Sequence, residues 1–185
     1  MAKLNYIANV SLDSFIEDEH GSIDWSAPGD DVFAFVTDLV RSAGTYLYGR
    51  RVRDDGRLGD GRWPARQSEL MADFANVWRA ADKVVYSTML DAVSTAKTRL
   101  ERNFDPGSVR AAKASAASDL TVGGSSLAAE AFKAGLVDEC HLFIRPVLLG
   151  GGKPALPSGV RDEFELLDER RFSDGVMYLR YRTPV

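Results

Sequence analysis

Asp119-Leu120-Thr121-Val122-Gly123-Gly124-Ser125-Ser126-Leu127 is the stretch that decides how this chain folds. Leu120, Thr121 and Val122 make a short buried strand. Two glycines and two serines follow, and a helical run then continues to Ala134. After Gly135-Leu136-Val137-Asp138 a second apolar run, 139–149, reads as a long strand that stops at Gly150-Gly151-Gly152. Strand, glycine turn, helix and strand in this order form a βαβ unit, which implies a parallel pair. The turn also carries chemistry. A strand that passes through glycine into a helix N-terminus leaves backbone N–H groups unpaired, and these together with the helix dipole favour an anion, most often a phosphate. The feature points to a nucleotide-type ligand.

Working outward, residues 3–11 are apolar and partly alternating, as in a strand, and 13–31 are polar and turn-rich. Val32, Phe35, Val36, Leu39 and Val40 recur at helical spacing, and Gly44 is the expected stop. Residues 45–48 form the next strand, followed by Gly49-Arg50-Arg51 and a Gly/Arg/Asp-rich loop over 53–66. The spacing of Leu70, Phe74, Val77 and Trp78 predicts a helix over 69–81, with strands at 83–87 and 98–102. Asp105-Pro106 is a cap followed by proline at the first helical position, which starts a helix running to about residue 117. The chain closes as a hairpin, 163–172 and 176–182, across Ser173-Asp174-Gly175. The expected fold is α/β: a three-layer, doubly wound, mostly parallel sheet whose C-terminal hairpin adds antiparallel strands at one edge. The 185 residues fit one domain.

Composition excludes several classes. A net charge of −4 argues against a general nucleic-acid binder. The single cysteine, Cys140, permits no intrachain disulfide and suits a reducing compartment. No apolar run reaches the ~20 residues that span a membrane, and residues 1–6 lack the apolar core of a signal peptide. The expectation is a soluble cytoplasmic protein. His20 and His141 lack metal-ligand spacing, and no metal site is expected. No serine sits in a nucleophile elbow.

In doubly wound sheets ligands bind outside the carboxyl ends of the strands. Gly49-Arg50, Ser87-Thr88 and Gly123-Gly124 all stand at such ends. Gly123 and Gly124 offer a backbone cradle for a pyrophosphate, with Ser125 and Ser126 as added donors; the same pair also suits a plain tight turn. Arg50 and Arg51 suit a phosphate such as the 2′-phosphate of NADP, to which Ser87 and Thr88 could donate; equally, loop arginines are often simply solvated. Asp30 and Asp31 stand where a loop meets a helix. They read as a cap and a charge favoured by the dipole, or as a carboxylate that orients or protonates a heterocycle.

These residues resemble a family. Ser11-Leu12-Asp13, Asp24-Trp25, Gly49-Arg50, Thr121-Val122-Gly123-Gly124, Gly135-Leu136-Val137-Asp138-Glu139 and Pro146-Val147-Leu148-Leu149-Gly150-Gly151-Gly152 are similar to the dihydrofolate reductase superfamily. The nearest likeness is to the reductase domain of the bifunctional riboflavin-biosynthesis deaminase/reductase and its stand-alone relatives. The resemblance covers nearly the whole chain. It implies a dihydrofolate reductase-like fold and an NADPH-dependent oxidoreductase. It implies that Gly123, Gly124, Ser125, Ser126 and Leu127 hold the cofactor, with a cis peptide at the glycine pair as in dihydrofolate reductases. Gly49, Arg50, Ser87 and Thr88 would lie near the adenine ribose phosphate. The segment from Trp25 to Asp30 matches the tryptophan-to-aspartate spacing of dihydrofolate reductases, which makes Asp30 a substrate-site carboxylate and Asp31 its substitute. Ser14 stands where many relatives have glycine, and the deaminase zinc signature is absent.

The implied reaction reduces 5-amino-6-(5-phosphoribosylamino)uracil or a similar ribosyl phosphate, for which Arg145 and Lys153 are the cationic candidates. The alternatives are a dihydrofolate reductase acting on a pteridine and a non-catalytic nucleotide-binding dimeric module. Related reductases imply a homodimer.

Overall fold

Alternation of apolar residues along the strands builds a sheet with two covered faces. The computed structural model of the chain describes residues 1–49, 69–93 and 95–184. In chain order the strands are β1 (Leu4–Ser11), β2 (Phe15–Glu17), β3 (Ala43–Gly49), β4 (Asp82–Tyr86), β5 (Thr98–Glu101), β6 (Asp119–Gly123), β7 (Glu139–Arg145), β8 (Lys153–Pro154), β9 (Glu165–Arg171) and β10 (Met177–Arg182). The helices are α1 (Asp30–Arg41), α2 (Glu69–Ala80), α3 (Pro106–Ser115) and α4 (Ser125–Lys133), with a single 3₁₀ turn at Asp24–Ser26. The main sheet runs β5-β4-β3-β6-β1-β7-β10-β9. The pairs from β5 to β7 are parallel, and β10 pairs antiparallel with both β7 and β9. The expected α/β architecture with its terminal hairpin is therefore the observed one.

The direction of winding assigns the helices to faces. From β1 through β3 to β4 the chain moves one way across the sheet, and from β5 through β6 to β7 it moves back. Right-handed crossovers place the connecting helices of the two halves on opposite faces. One face packs Leu4, Tyr6, Leu47, Val84, Leu120, Val122 and Cys140 against Val109, Ala128, Ala131 and Phe132 of α3 and α4. The other packs Phe143 and Tyr178 against Val32, Phe35, Val36 and Leu39 of α1, with Tyr46 and Tyr48 beside Trp78 of α2.

Local chemistry sets the element ends. Asp105 caps α3, its carboxylate accepting from the N–H of Gly107 at 3.3 Å and of Ser108 at 2.8 Å, with proline at the first position. Asp105→Ala is expected to lower the thermal midpoint by roughly 2–4 °C, measurable by calorimetry; an unchanged midpoint would remove the cap from the account. Gly44, the expected stop of the first helix, instead lies inside β3. A Cβ there would come within 3.1 Å of the Ser118 Cβ, so this glycine serves close packing, and Ser42 closes α1. The strand expected over 139–149 ends at Arg145, because Pro146 has no N–H for the ladder.

Beyond Pro146 the chain leaves the sheet and is gripped by Asp13. The Asp13 carboxylate accepts from the Leu149 N–H and the Gly150 N–H, the latter at 2.7 Å, and from the Ser11 hydroxyl at 2.7 Å. These hydrogen bonds, the Ser11 one largest, hold its carboxyl below the usual carboxylate range. The grip delivers residues 151–155 to β2, where β8 forms a small antiparallel ribbon that the sequence did not announce. Ser14, at the bend into β2, has φ +72°, the left-handed region that favours glycine.

Candidate active site

Three neighbouring parallel strands, β4, β3 and β6, end side by side, and a cleft of about 940 Å³ opens beyond the ends of β3 and β6. Gly49, Gly124, Ser126 and Leu127 form one wall. Glu17, Asp18, Glu19, His20 and Gly21 of the β2 segment, with Gly152, Lys153 and Pro154, form the other. The cleft thus lies between the turn that opens α4 and the β2–β8 ribbon.

The two glycines of the turn have different tasks. A Cβ at Gly123 would lie 2.9 Å from the ring of Tyr48, so Gly123 is required by packing across β3 and β6. Gly124 has φ +88°, the left-handed region that reverses the chain into α4. The described residues contain no cis peptide, so positive φ at Gly124, not a cis bond, makes the turn. Among the described residues no side chain caps the N-terminus of α4. Its first-turn N–H groups have no partner within the helix and lie at the cleft, which fits a pyrophosphate. Among the described residues nothing lies within 4 Å of where a Cβ on Gly49 would sit, which allows close approach to the end of β3. Ser126 is exposed at the turn, whereas Ser125 is buried and Leu127 packs into the core.

The other expected residues divide. Arg50 and Arg51 lie outside the described residues. Ser87 follows β4 and is buried. Its hydroxyl oxygen accepts from the N–H groups of Met89 and Leu90, both at 3.1 Å, which builds the turn after the strand; Thr88 is exposed there. Neither lines the cleft beside Gly124. Asp30 and Asp31 open α1 and are exposed, also away from that cleft. Asp31 accepts from the Ser173 hydroxyl at 2.8 Å, from the Ser173 N–H at 3.3 Å and from the Val32 N–H at 2.8 Å. Those bonds, Ser173's first, hold its carboxyl below the usual range and tie α1 to the β9–β10 turn.

The cleft's electrostatics are mixed. Lys153 Nζ stands 3.4 Å from Glu17 Oε1, with Asp18, Glu19 and His20 alongside. Sequence reasoning missed this acidic arm. Its signal was the triglycine: a Cβ at Gly151 would meet Glu19 at 2.5 Å, and one at Gly152 would meet the Glu17 carbonyl oxygen at 2.0 Å. These glycines seat the arm and do not touch the cradle at Gly124. His141 is a packed strand residue: it is buried, and its Nδ1 lies 2.8 Å from the Tyr178 hydroxyl. Among the described residues no group of three or more His, Cys, Asp or Glu could hold a metal ion. No helix among them is long and apolar enough to cross a membrane.

Comparison with known proteins places this geometry. The sequence model of the RibD C-terminal domain matches residues 2–178. YyaP, an uncharacterized protein of Bacillus subtilis (strain 168), is 30% identical over 176 residues, which span 93% of this chain and 90% of YyaP. A putative riboflavin biosynthesis protein from Shewanella sp. PV-4 superposes with a TM-score of 0.75 at 22% identity, covering 100% of both chains. RibD of Acinetobacter baumannii gives a TM-score of 0.73 at 17% identity, covering 100% of this chain and 58% of that one. The chain therefore spans little more than half of that longer protein.

Proposed function

The chain belongs to the RibD C-terminal domain family, and from that premise we propose that it is an NADPH-dependent reductase. Its substrate in this reading is a small ribosyl phosphate or heterocycle of the 5-amino-6-(5-phosphoribosylamino)uracil type. The observation that carries the proposal is the uncapped N-terminus of α4 at Gly124, opening into the same cleft as the bare end of β3 at Gly49. A dinucleotide needs backbone donors for its pyrophosphate and close approach beside them, and these two strand ends supply both.

In this reading Gly124, Ser126 and the first-turn amides of α4 bind the pyrophosphate, and Gly123 keeps Tyr48 packed beneath it. Ser125 and Leu127 hold α4 in place from the buried side. Ser87 and Thr88, with Arg50 and Arg51, take the adenosine phosphate end. The cofactor supplies hydride from its nicotinamide. The β2–β8 ribbon covers the cleft and excludes water, and Asp30 or Asp31 remains the proposed substrate-side carboxylate. The pteridine alternative is less favoured, because a pteridine's amino-lactam edge needs a buried carboxylate. Asp30 is exposed, and Asp31 is already used by Ser173. A homodimer and a cytoplasmic location belong to the same proposal.

Titration with NADPH, followed by nicotinamide fluorescence, tests it. Saturable binding is expected, and Gly124→Ala is expected to weaken it at least tenfold, because alanine resists the left-handed turn. A folded protein that gives no signal at millimolar NADPH would defeat the reductase reading. If NADPH binds, its oxidation with the ribosylaminopyrimidine phosphate and with dihydrofolate separates the two substrates.

A further inference from the structure

Arg145 ends β7 with an arrangement that folding alone does not account for. The residue is 8% exposed. Its Nη1 lies 3.6 Å from Asp174 Oδ2, beyond hydrogen-bond length. Its Nε and Nη2 are buried and have no hydrogen-bond partner among the described residues. Nε and Nη2 form one edge of the guanidinium, with two parallel N–H groups that match paired oxygens. A buried guanidinium edge left unpaired is costly, so it asks for an acceptor.

The neighbourhood extends the request. Arg145 pairs in register with Ser11, and Phe143 with Asn9. Side chains two apart on a strand share a face, so Asn9 and Arg145 lie on the α1 face, beside Phe143 of the α1 cluster. Asn9 Oδ1 is likewise buried without a partner among the described residues. An asparagine amide turned over presents its NH₂ instead, a third donor on the same patch. The acids nearby are engaged: Asp31 by Ser173, and Asp13 by Ser11, Leu149 and Gly150. Asp174 accepts from the Val176 N–H at 3.1 Å. The Arg145 edge, and the Asn9 amide once turned over, therefore present donors at the carboxyl ends of β1 and β7, where a doubly wound sheet receives its substrate.

We propose that Arg145, with Asn9 beside it, binds an oxyanion of the substrate, a carboxylate or a phosphate. The assignment of that oxyanion to the substrate rests on the reductase reading. It narrows the substrate class: an amino-lactam edge offers N–H donors and finds no acceptor in a guanidinium, whereas paired anionic oxygens satisfy the Nε–Nη2 edge. Ordered water is the competing way to satisfy these groups, and it predicts no selectivity for anions.

Inorganic phosphate and benzoate serve as probes, with benzamide as the neutral counterpart, in calorimetric titrations at pH 7. The wild-type protein is expected to bind at least one oxyanion at millimolar concentration and not benzamide. Arg145→Lys keeps the charge but loses the fork, and is expected to bind at least tenfold more weakly. Asp174→Asn keeps the acceptor for the Val176 N–H, removes the competing carboxylate, and is expected to bind several-fold more tightly. It decides the matter should the lysine variant fail to fold. Absence of binding to either oxyanion, equal binding of benzamide, full affinity in Arg145→Lys, or unchanged affinity in Asp174→Asn each overturns the proposal. NADPH fluorescence on the same samples keeps the two readings apart. NADPH binding without an oxyanion response removes Arg145's role alone, and an oxyanion response without NADPH binding removes the reductase reading alone.

Discussion

Gly152→Ala is expected to destabilise the protein by at least ~3 kcal/mol and to disorganise the cleft. Two independent causes act at this position. Gly152 has φ +134°, a conformation that side-chain-bearing residues rarely adopt. A Cβ there would also fall 2.0 Å from the Glu17 carbonyl oxygen and 2.9 Å from the Asp18 backbone, so backbone would have to move. The displaced ribbon is not a dispensable flap. Its far side supplies Ile16 and Ala155 to the main core, and the buried Tyr6 hydroxyl donates to the Ala155 carbonyl at 2.7 Å. Lifting β2 and β8 would unseat Ala155 and leave that hydroxyl without its acceptor, so the damage reaches the core. Urea unfolding should show a lower midpoint, and NADPH titration should show weaker binding because Lys153 and Pro154 line the same cleft. A variant as stable as the parent would mean that the arm yields without cost, and the account of the triglycine would then be wrong.

The parts of this fold that were legible in the sequence are those governed by local rules. Asp105 ahead of Pro106 signals a cap through one hydrogen-bonding side chain. Ser173-Asp174-Gly175 signals a hairpin because Gly175, at φ +87°, supplies the turn that β9 and β10 need. The winding of the sheet follows from alternating strands and helices. What stayed hidden depends on partners distant in the chain. β2 has three residues and β8 has two, too few for periodicity to register, and they meet across about 140 residues. Adjacency could not separate Asp30 from Asp31 either. Ser173, from the terminal hairpin, donates to Asp31 and not to Asp30, although both are exposed. Gly123 and Gly124 look alike in sequence. Only the ring of Tyr48 on the neighbouring strand shows that the first is fixed by packing and the second by backbone conformation. Of the expected cofactor residues, the cleft gathers Gly49, Gly124, Ser126 and Leu127, because β3 and β6 are neighbours in the sheet.

Glu139→Gln is expected to cost roughly 1–3 kcal/mol, because it removes the buried carboxylate that accepts charge-assisted hydrogen bonds from two part-exposed cations, Lys3 and Arg180. Glu139 is 3% exposed and opens β7. Its carboxylate accepts from Lys3 Nζ at 2.6 Å and from Arg180 Nε at 2.7 Å and Nη2 at 3.1 Å, which ties the N-terminus and β10 to the centre of the sheet. Burial pushes its carboxyl up, but the hydrogen bonds and charges of Arg180 and Lys3 outweigh this and hold it down at about 2. His141 Nε2 lies 3.5 Å from the same carboxylate. Burial is the main force on this imidazole and lowers it to about 4, although the charge of Glu139 pulls the other way. Both groups are depressed in the folded chain, so in acid the unfolded chain binds more protons than the folded one. Stability is then complete above about pH 6.5, the ordinary value for histidine. It falls first as unfolded His141 is protonated between pH 6.5 and 4. It falls further as unfolded Glu139 is protonated, from about pH 4.5 toward 2. The histidine step alone amounts to about 3 kcal/mol for a shift of this size. Urea midpoints measured from pH 7 to pH 4 should trace that step. His141→Gln, which can still accept from the Tyr178 hydroxyl, should flatten it, whereas Glu139→Gln should lower the whole curve. An undiminished slope in His141→Gln would assign the acid sensitivity to other groups, and the buried Glu139 network would then hold the sheet together without sensing pH through its histidine.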